Sequence, residues 1–227
     1  MKSAGMRAPS TGRAAGILLA GTAAIGLLLV PSDAVQGDAQ RIMYVHVPSA
    51  WLAYVAFVVT LVAGIVYLLR GDLRHDRIAV ASAEVGLVFT GLAIVSGAIW
   101  GKATWGKWWE WDPRLTTTAI LFAAYAAYLL VRQAIGERRR RARLAAVFGI
   151  VAFANVPVVH FSVLWWRGLH QPPTVLQPGD PTIDHVMLAV LIANVASFTI
   201  AYAWLVRRRV ALESASDAAL QALEVVG

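Results

Sequence analysis

The chain has no cysteine. That excludes disulfides, iron–sulfur ligation, a thiolate nucleophile and any thioether bond made by this chain. Charge is also scarce. Of 227 residues, 15% are Asp, Glu, Lys or Arg, against about 25% in a soluble domain. A phosphate loop of the form G-x-x-x-x-G-K-[ST] is absent from the sequence, so the chain carries no nucleotide motif of that kind. What is abundant is apolar: 59% of residues are hydrophobic and the mean hydropathy is +0.63. These residues come in long blocks, not in alternation. A soluble enzyme, a disordered chain and a transmembrane β-barrel are excluded. The remaining class is an all-α integral membrane protein.

A helix needs about 20 apolar residues at 1.5 Å each to cross a bilayer. Six blocks meet this, at about residues 14–30, 47–69, 78–100, 115–134, 144–166 and 183–206. The connecting segments are too short for a separate domain, so residues 1–227 read as one six-helix membrane domain. The first block follows Lys2, Arg7 and Arg13 and ends at Pro31-Ser32-Asp33-Ala34. That pattern fits a retained helix, the reading taken here, or a signal peptide. Basic residues set the orientation. The N-terminus, the 70–77 and 132–143 segments and the tail after Val206 hold 15 of the 20 Lys and Arg. This side is expected in the cytoplasm, with both termini. The net charge of +7 is thus topological, and no nucleic-acid partner is expected.

Unusual residues gather on the opposite, outer side. Eight of nine tryptophans map there: Trp51, Trp100, Trp105, Trp108, Trp109, Trp111, Trp165 and Trp166. Aromatic belts normally mark both interfaces, so a belt alone does not explain this bias. Four of the eight fall between Trp105 and Trp111. If that segment is helical, Trp105, Trp108, Trp109 and Asp112 share one face, giving an interfacial helix with a broad aromatic plate. Such a plate serves either to anchor or to stack against a large, flat ligand. Asp112-Pro113 reads as the N-cap and first position of the fourth helix, and Asp180-Pro181 reads as the same pair for the sixth. His46 precedes Pro48 at the mouth of the second helix. His170 precedes Gln171-Pro172-Pro173, an extended segment. Two histidines on different outer segments can bind one haem iron from opposite faces. A closed zinc site would prefer four ligands. His160 lies about a turn inside the fifth span, as an interhelical hydrogen-bonding group or a third ligand. His185 is expected at the interface. Arg41 and Arg114 are either loop charges or partners for propionates. Glu84 lies near the inner end of the third span.

The segment Trp105-Gly-Lys-Trp108-Trp109-Glu-Trp111-Asp112-Pro-Arg114-Leu-Thr resembles the "WWD" signature of haem-handling membrane proteins. Tyr44-Val-His46-Val-Pro48 and Val159-His160-Phe-Ser-Val-Leu-Trp165-Trp166-Arg-Gly-Leu-His170-Gln resemble two histidine motifs of one such family. It is the cytochrome c maturation protein C, or haem exporter protein C, family. The similarity covers about Arg41 to Arg208. The resemblance implies axial ligation of haem b by His46 and His170, bound non-covalently. It also implies a haem platform and chaperone-docking surface at Trp105, Trp108, Trp109, Trp111 and Asp112, with Arg41 and Arg114 near the haem. The implied partners are a membrane-anchored periplasmic haem chaperone, an ATP-binding cassette subunit with its membrane partner, and a small single-span subunit. The implied location is the bacterial inner membrane, and the chain itself is expected to catalyse no reaction. Related haem lyases carry the same signature but are much longer. Residues Gln171–Thr182 do not match the family pattern. Two other classes stay open: a permease moving haem through the bundle, and a haem b subunit oxidising quinol. The permease would want midplane polar groups, for which Asn155 and Asn194 are the candidates. The quinol oxidase would want histidine pairs inside the bilayer.

Overall fold

The computed structural model describes residues 8–166, 168–170, 175, 177 and 179–226. Among these it is helical, with one isolated bridge between Asp33 and Gly37. The helices are α1 (Ala8–Leu28), α2 (Met43–Arg70), α3 (Leu73–Trp105), α4 (Pro113–Ala134), α5 (Arg138–Phe153), α6 (Asn155–Trp165) and α7 (His185–Val226), with a 3-10 turn at Asp38–Ile42 before α2. Six helical stretches are long and apolar enough to cross a membrane, α5 and α6 together forming one of them. Lys2, Arg7 and the Gln171-Pro172-Pro173 run, all singled out in the sequence, lie outside the described residues, as does the arginine between Trp166 and Gly168.

Local chemistry explains the ends of the elements. Gly71 takes φ 69° and its N–H returns to the Tyr67 carbonyl, closing α2. Asp72 then caps α3 by accepting from the Arg74 amide at 2.8 Å. This two-residue turn sets α2 and α3 side by side. Both present small buried residues, among them Ala53, Ala56, Ala79 and Ala83, which let helix backbones approach closely in a membrane. Against them Phe57 stacks on Tyr125 of α4, ring centroids 3.6 Å apart, with Leu121, Val156 and Val159 around the pair.

The end bearing Gly71 and Glu137, here the basic end, is tied by ions. Arg132 of α4 holds Asp76 of α3 in a bidentate pair at 2.5 and 2.9 Å, both side chains only 8% exposed. Arg209 of α7 bonds Glu84 of α3 and Glu213. Arg77 and Arg138 both bond Asp217. Glu84 is therefore the carboxylate of an interhelical ion pair.

The helices differ from the expected spans in informative ways. The second helix starts at Met43, so His46 lies in its first turn and not at its mouth. The fifth span is broken at Ala154, between α5 and α6. Pro157 explains this, because a proline ring clashes with the carbonyl four residues back, here that of Phe153. Asn155 stabilises the break by donating to the Thr117 carbonyl of α4 at 2.8 Å. Asp184, not Asp180, caps α7: its Oδ1 accepts from the Val186 and Met187 amides. The expected interfacial helix does not form. α3 stops at Trp105, Gly106 takes φ 78°, and residues 107–112 run without helical structure to the start of α4. A positive φ is open to glycine and strained for other residues, so Gly106 ends the helical register there.

Candidate functional site

The site lies at the tryptophan-rich end, and α2, α3, α4 and two connecting segments build it. His46 projects from the first turn of α2 onto α3. Its Nδ1 lies 3.0 Å from the Ala93 carbonyl and 3.2 Å from Ser96 Oγ. A carbonyl only accepts, so Nδ1 carries the proton and Nε2 keeps the lone pair. The ring sits directly over Gly97, where an added Cβ would stand 2.8 Å from His46 Cε1. Trp100 meets the ring edge-on with centroids 5.7 Å apart.

His170 arrives from the segment after α6. Its Nδ1 is 3.0 Å from Asp112 Oδ2, and Trp105 meets it edge-on at 5.0 Å. The same Asp112 caps α4 through Oδ1, which accepts from the Leu115 amide at 2.8 Å. One buried carboxylate thus starts a helix and orients an imidazole. Burial pushes the Asp112 carboxyl upward, but the Leu115 amide and His170 outweigh it and hold it below its ordinary value. Burial also lowers His170, and Asp112 offsets only part of that. His170 is therefore held neutral with Nδ1 protonated and Nε2 bearing the lone pair.

The two histidines line one cleft together. Its larger chamber, about 740 Å³ including the solvent at its mouth, is also walled by Tyr54, Ala93, Trp109 and Arg114 and reaches down to Thr90 and Leu121. A smaller chamber of about 450 Å³ shares His46, Gly97 and His170 and adds Trp100, Trp105 and Gln36. Apolar and aromatic side chains with a few convergent polar groups line both chambers, as they line small-molecule and cofactor sites. Two polar groups on the larger chamber are buried without a partner, Trp109 Nε1 and Arg114 Nε. Arg114 is otherwise held by the His160 carbonyl, which accepts from Nη2 at 2.9 Å. Among the described residues, no three His, Cys, Asp or Glu side chains cluster as a multidentate metal site. Two neutral imidazoles offering Nε2 suit a metal whose other coordination sites are already filled, as in haem iron.

The other expected site residues distribute differently. Trp105 and Trp109 line the two chambers, whereas Trp108 and Trp111 stand 60% and 74% exposed. The single plate expected from helical spacing is therefore two indoles facing the cleft and two facing outward. Arg41 is engaged elsewhere: Nε donates to the Val30 carbonyl at 3.0 Å, and Nη2 lies 3.4 Å from Asp38 Oδ1. It lines neither chamber. His160 packs edge-on against Tyr54 and Phe161, also outside both chambers. His185 is exposed at the first position of α7. Sequence reasoning missed Tyr54, Gly97 and the Ala93 carbonyl. Helical spacing from His46 would have placed Tyr54 two turns further along α2 on the same side. Nothing local marks Gly97 or Ala93, because both act from another helix.

Residues 1–222 match the family model described as "Heme exporter protein C". The chain belongs to that family. It is 39% identical over 182 residues to the Heme exporter protein C of Bradyrhizobium diazoefficiens, covering 79% of this chain and 69% of the relative. It is 38% identical over 188 residues to that of Haemophilus influenzae, covering 83% and 76%. The Escherichia coli protein of the same name is 36% identical over 188 residues, covering 81% and 74%. Of the residues that carried the resemblance, His46, Trp105, Trp109 and His170 line the cleft, whereas Tyr44 is buried in a separate cluster with Met43, Met187 and Leu191.

Proposed function

We propose that this chain is a haem-binding and haem-delivery subunit of the cytochrome c maturation system. It presents non-covalently bound haem b at the outer, periplasmic face of the bacterial inner membrane. The observation that carries the reading is the pair of imidazoles in one cleft, each with Nδ1 engaged and Nε2 available. His46 and His170 are the axial ligands of the cargo iron. Trp105 and Trp109 pack against the macrocycle. Arg114, with a buried N–H lacking a partner, meets a propionate. Arg41 belongs to the wall that positions α2 and not to the haem contacts.

Delivery uses the outward indoles. Trp108 and Trp111 together with Trp165 and Trp166 (57% and 49% exposed) form the docking surface for a membrane-anchored haem chaperone, so haem changes hands without entering water. Aromatic side chains that stay exposed on a monomer are common interface anchors. ATP hydrolysis belongs to the cassette partner, and a small single-span subunit completes the assembly. The bundle beneath the cleft is filled by the stacked Phe57 and Tyr125, and the side-chain N–H groups of Asn155 and Asn194 donate to carbonyls of α4, α1 and α7. This packing favours handling at the surface over passage through the chain. The test is the haem content of the purified protein. His46→Ala and His170→Ala each lose most bound haem, whereas His160→Ala and His185→Ala keep it. Loss in His160→Ala with retention in the other two would overturn the assignment.

A further inference from the structure

A second cavity lies at the basic end, at the opposite end of α2 from His46 and sharing no lining residue with the haem cleft. It measures about 720 Å³ including open solvent and forms where the last turn of α2 meets the first turns of α5. Tyr67 and Leu68 wall one side; Arg139, Arg140 and Arg143 wall the other. The four consecutive arginines that begin α5 are therefore not equivalent. Arg138 turns to α7 and bonds Asp217, while Arg139 and Arg140 join Arg143 around this cavity. These three fall at i, i+1 and i+4 of one helix, a spacing at which like charges repel. Among the described residues, no carboxylate oxygen lies within 4.0 Å of the guanidinium group of any of the three. The one acidic residue on the cavity, Glu137, is engaged by the Arg139 and Arg140 amides at 2.7 and 2.6 Å. The three arginines are solvent-exposed and rim an open concavity between α2 and α5.

Apolar surface continues from the cavity along both helices. On α5, Leu144, Val147 and Val151 follow Arg140 at i+4, i+7 and i+11 and are all exposed; on α2, Ile65 and Val62 continue from Leu68. Cationic groups above two bare apolar stripes match the headgroup and acyl chains of a lipid. We propose that this cavity binds the phosphate headgroup of an anionic phospholipid, with its chains lying on the exposed faces of α2 and α5. The phosphate accepts from the three guanidinium groups, which hold phosphate oxygens as planar forks, and relieves their mutual repulsion. The bound lipid bridges α2 and α5 at the membrane surface.

The test uses the full chain purified in detergent and measures retained lipid by native mass spectrometry. Phosphatidylglycerol, cardiolipin, phosphatidylcholine and inorganic phosphate are each added. The wild type retains the two anionic lipids and not phosphatidylcholine. Arg140→Gln with Arg143→Gln lowers retention about fivefold for each arginine lost, as near-surface basic residues do. Arg207→Gln with Arg208→Gln, an equal charge change on exposed arginines of α7, leaves it unchanged. The melting temperature without lipid and the haem content stay at wild-type values in both variants, which separates this site from the haem reading. Equal losses in the two variants, retention of phosphatidylcholine, or protection by inorganic phosphate alone would overturn the proposal. So would unchanged lipid retention in a variant that instead releases the nucleotide-binding partner, which would make the cavity a protein-docking site.

Discussion

Asp112 carries two duties that a sequence shows only one at a time. Its Oδ1 caps α4, and its Oδ2 fixes His170 Nδ1. A carboxylate behind a ligating imidazole sets the ring's tautomer and orientation, and its removal typically costs 10–100-fold in metal affinity. Asp112→Asn keeps an N-cap oxygen, since Asn caps about as well as Asp. The expected outcome is a haem affinity lowered roughly 10–100-fold with a melting temperature close to wild type, read by haem titration and thermal unfolding. A large fall in stability at wild-type affinity would mean that Asp112 is a cap and nothing more. The capping half of this residue was legible from Asp112-Pro113. The histidine half was not, because His170 lies 58 residues away and nothing in a linear pattern encodes that meeting.

At the scale of elements, α3 is the seat of the site. Its Ala93 carbonyl, Ser96 and Gly97 receive His46, and its last residues Trp100 and Trp105 brace the two imidazoles. Gly97→Ala would put a methyl 2.8 Å from His46 Cε1 and 3.2 Å from Nδ1. The ring must rotate out of its hydrogen bond with Ala93. Haem binding falls by at least tenfold, the magnitude expected for a disturbed metal-ligand environment, while helix content is kept. Gly91→Ala is the control, because its nearest heavy atom beyond the helix itself is 3.5 Å away; its haem spectrum stays as wild type. Helix existence was plain from apolar run length. Two features of element shape were not. The tryptophan segment has i, i+3, i+4 spacing suited to a helix, yet Gly106 breaks the register and splits the expected plate into inward and outward pairs. The break at Ala154 is set by Pro157, which a hydropathy reading averages away.

On the scale of the whole molecule, the two ends are built from different forces. The tryptophan end is held by ring contacts and by hydrogen bonds around a cleft, those to the Asp112 carboxylate among them. The basic end is held by the Asp76–Arg132 pair and the Arg209–Glu84 pair. Breaking a buried pair by removing one partner costs about 3–5 kcal/mol because the other charge is left bare. Arg132→Leu is therefore expected to destabilise the bundle by about that amount, and Asp76→Asn with Arg132→Leu to recover much of it. Thermal or denaturant unfolding in detergent reads both. A double variant as unstable as the single one would show that the pair does not act as a unit. The uneven distribution of Lys and Arg between the two sets of connecting segments and the one-sided tryptophans forecast this division of the molecule. They did not forecast that four neighbouring arginines would face different partners, since that depends on the packing of α5 against α2 and α7.

The central claim is that one haem iron is bound by two imidazoles from separate segments of this chain. Electron paramagnetic resonance of the ferric, haem-loaded protein tests it most directly. Ligation by His46 and His170 predicts a low-spin, two-imidazole spectrum that turns high-spin or disappears in His46→Gly and in His170→Gly, and returns in each when free imidazole is added. A high-spin spectrum in the wild type, or a low-spin spectrum unchanged in either glycine variant, would contradict it.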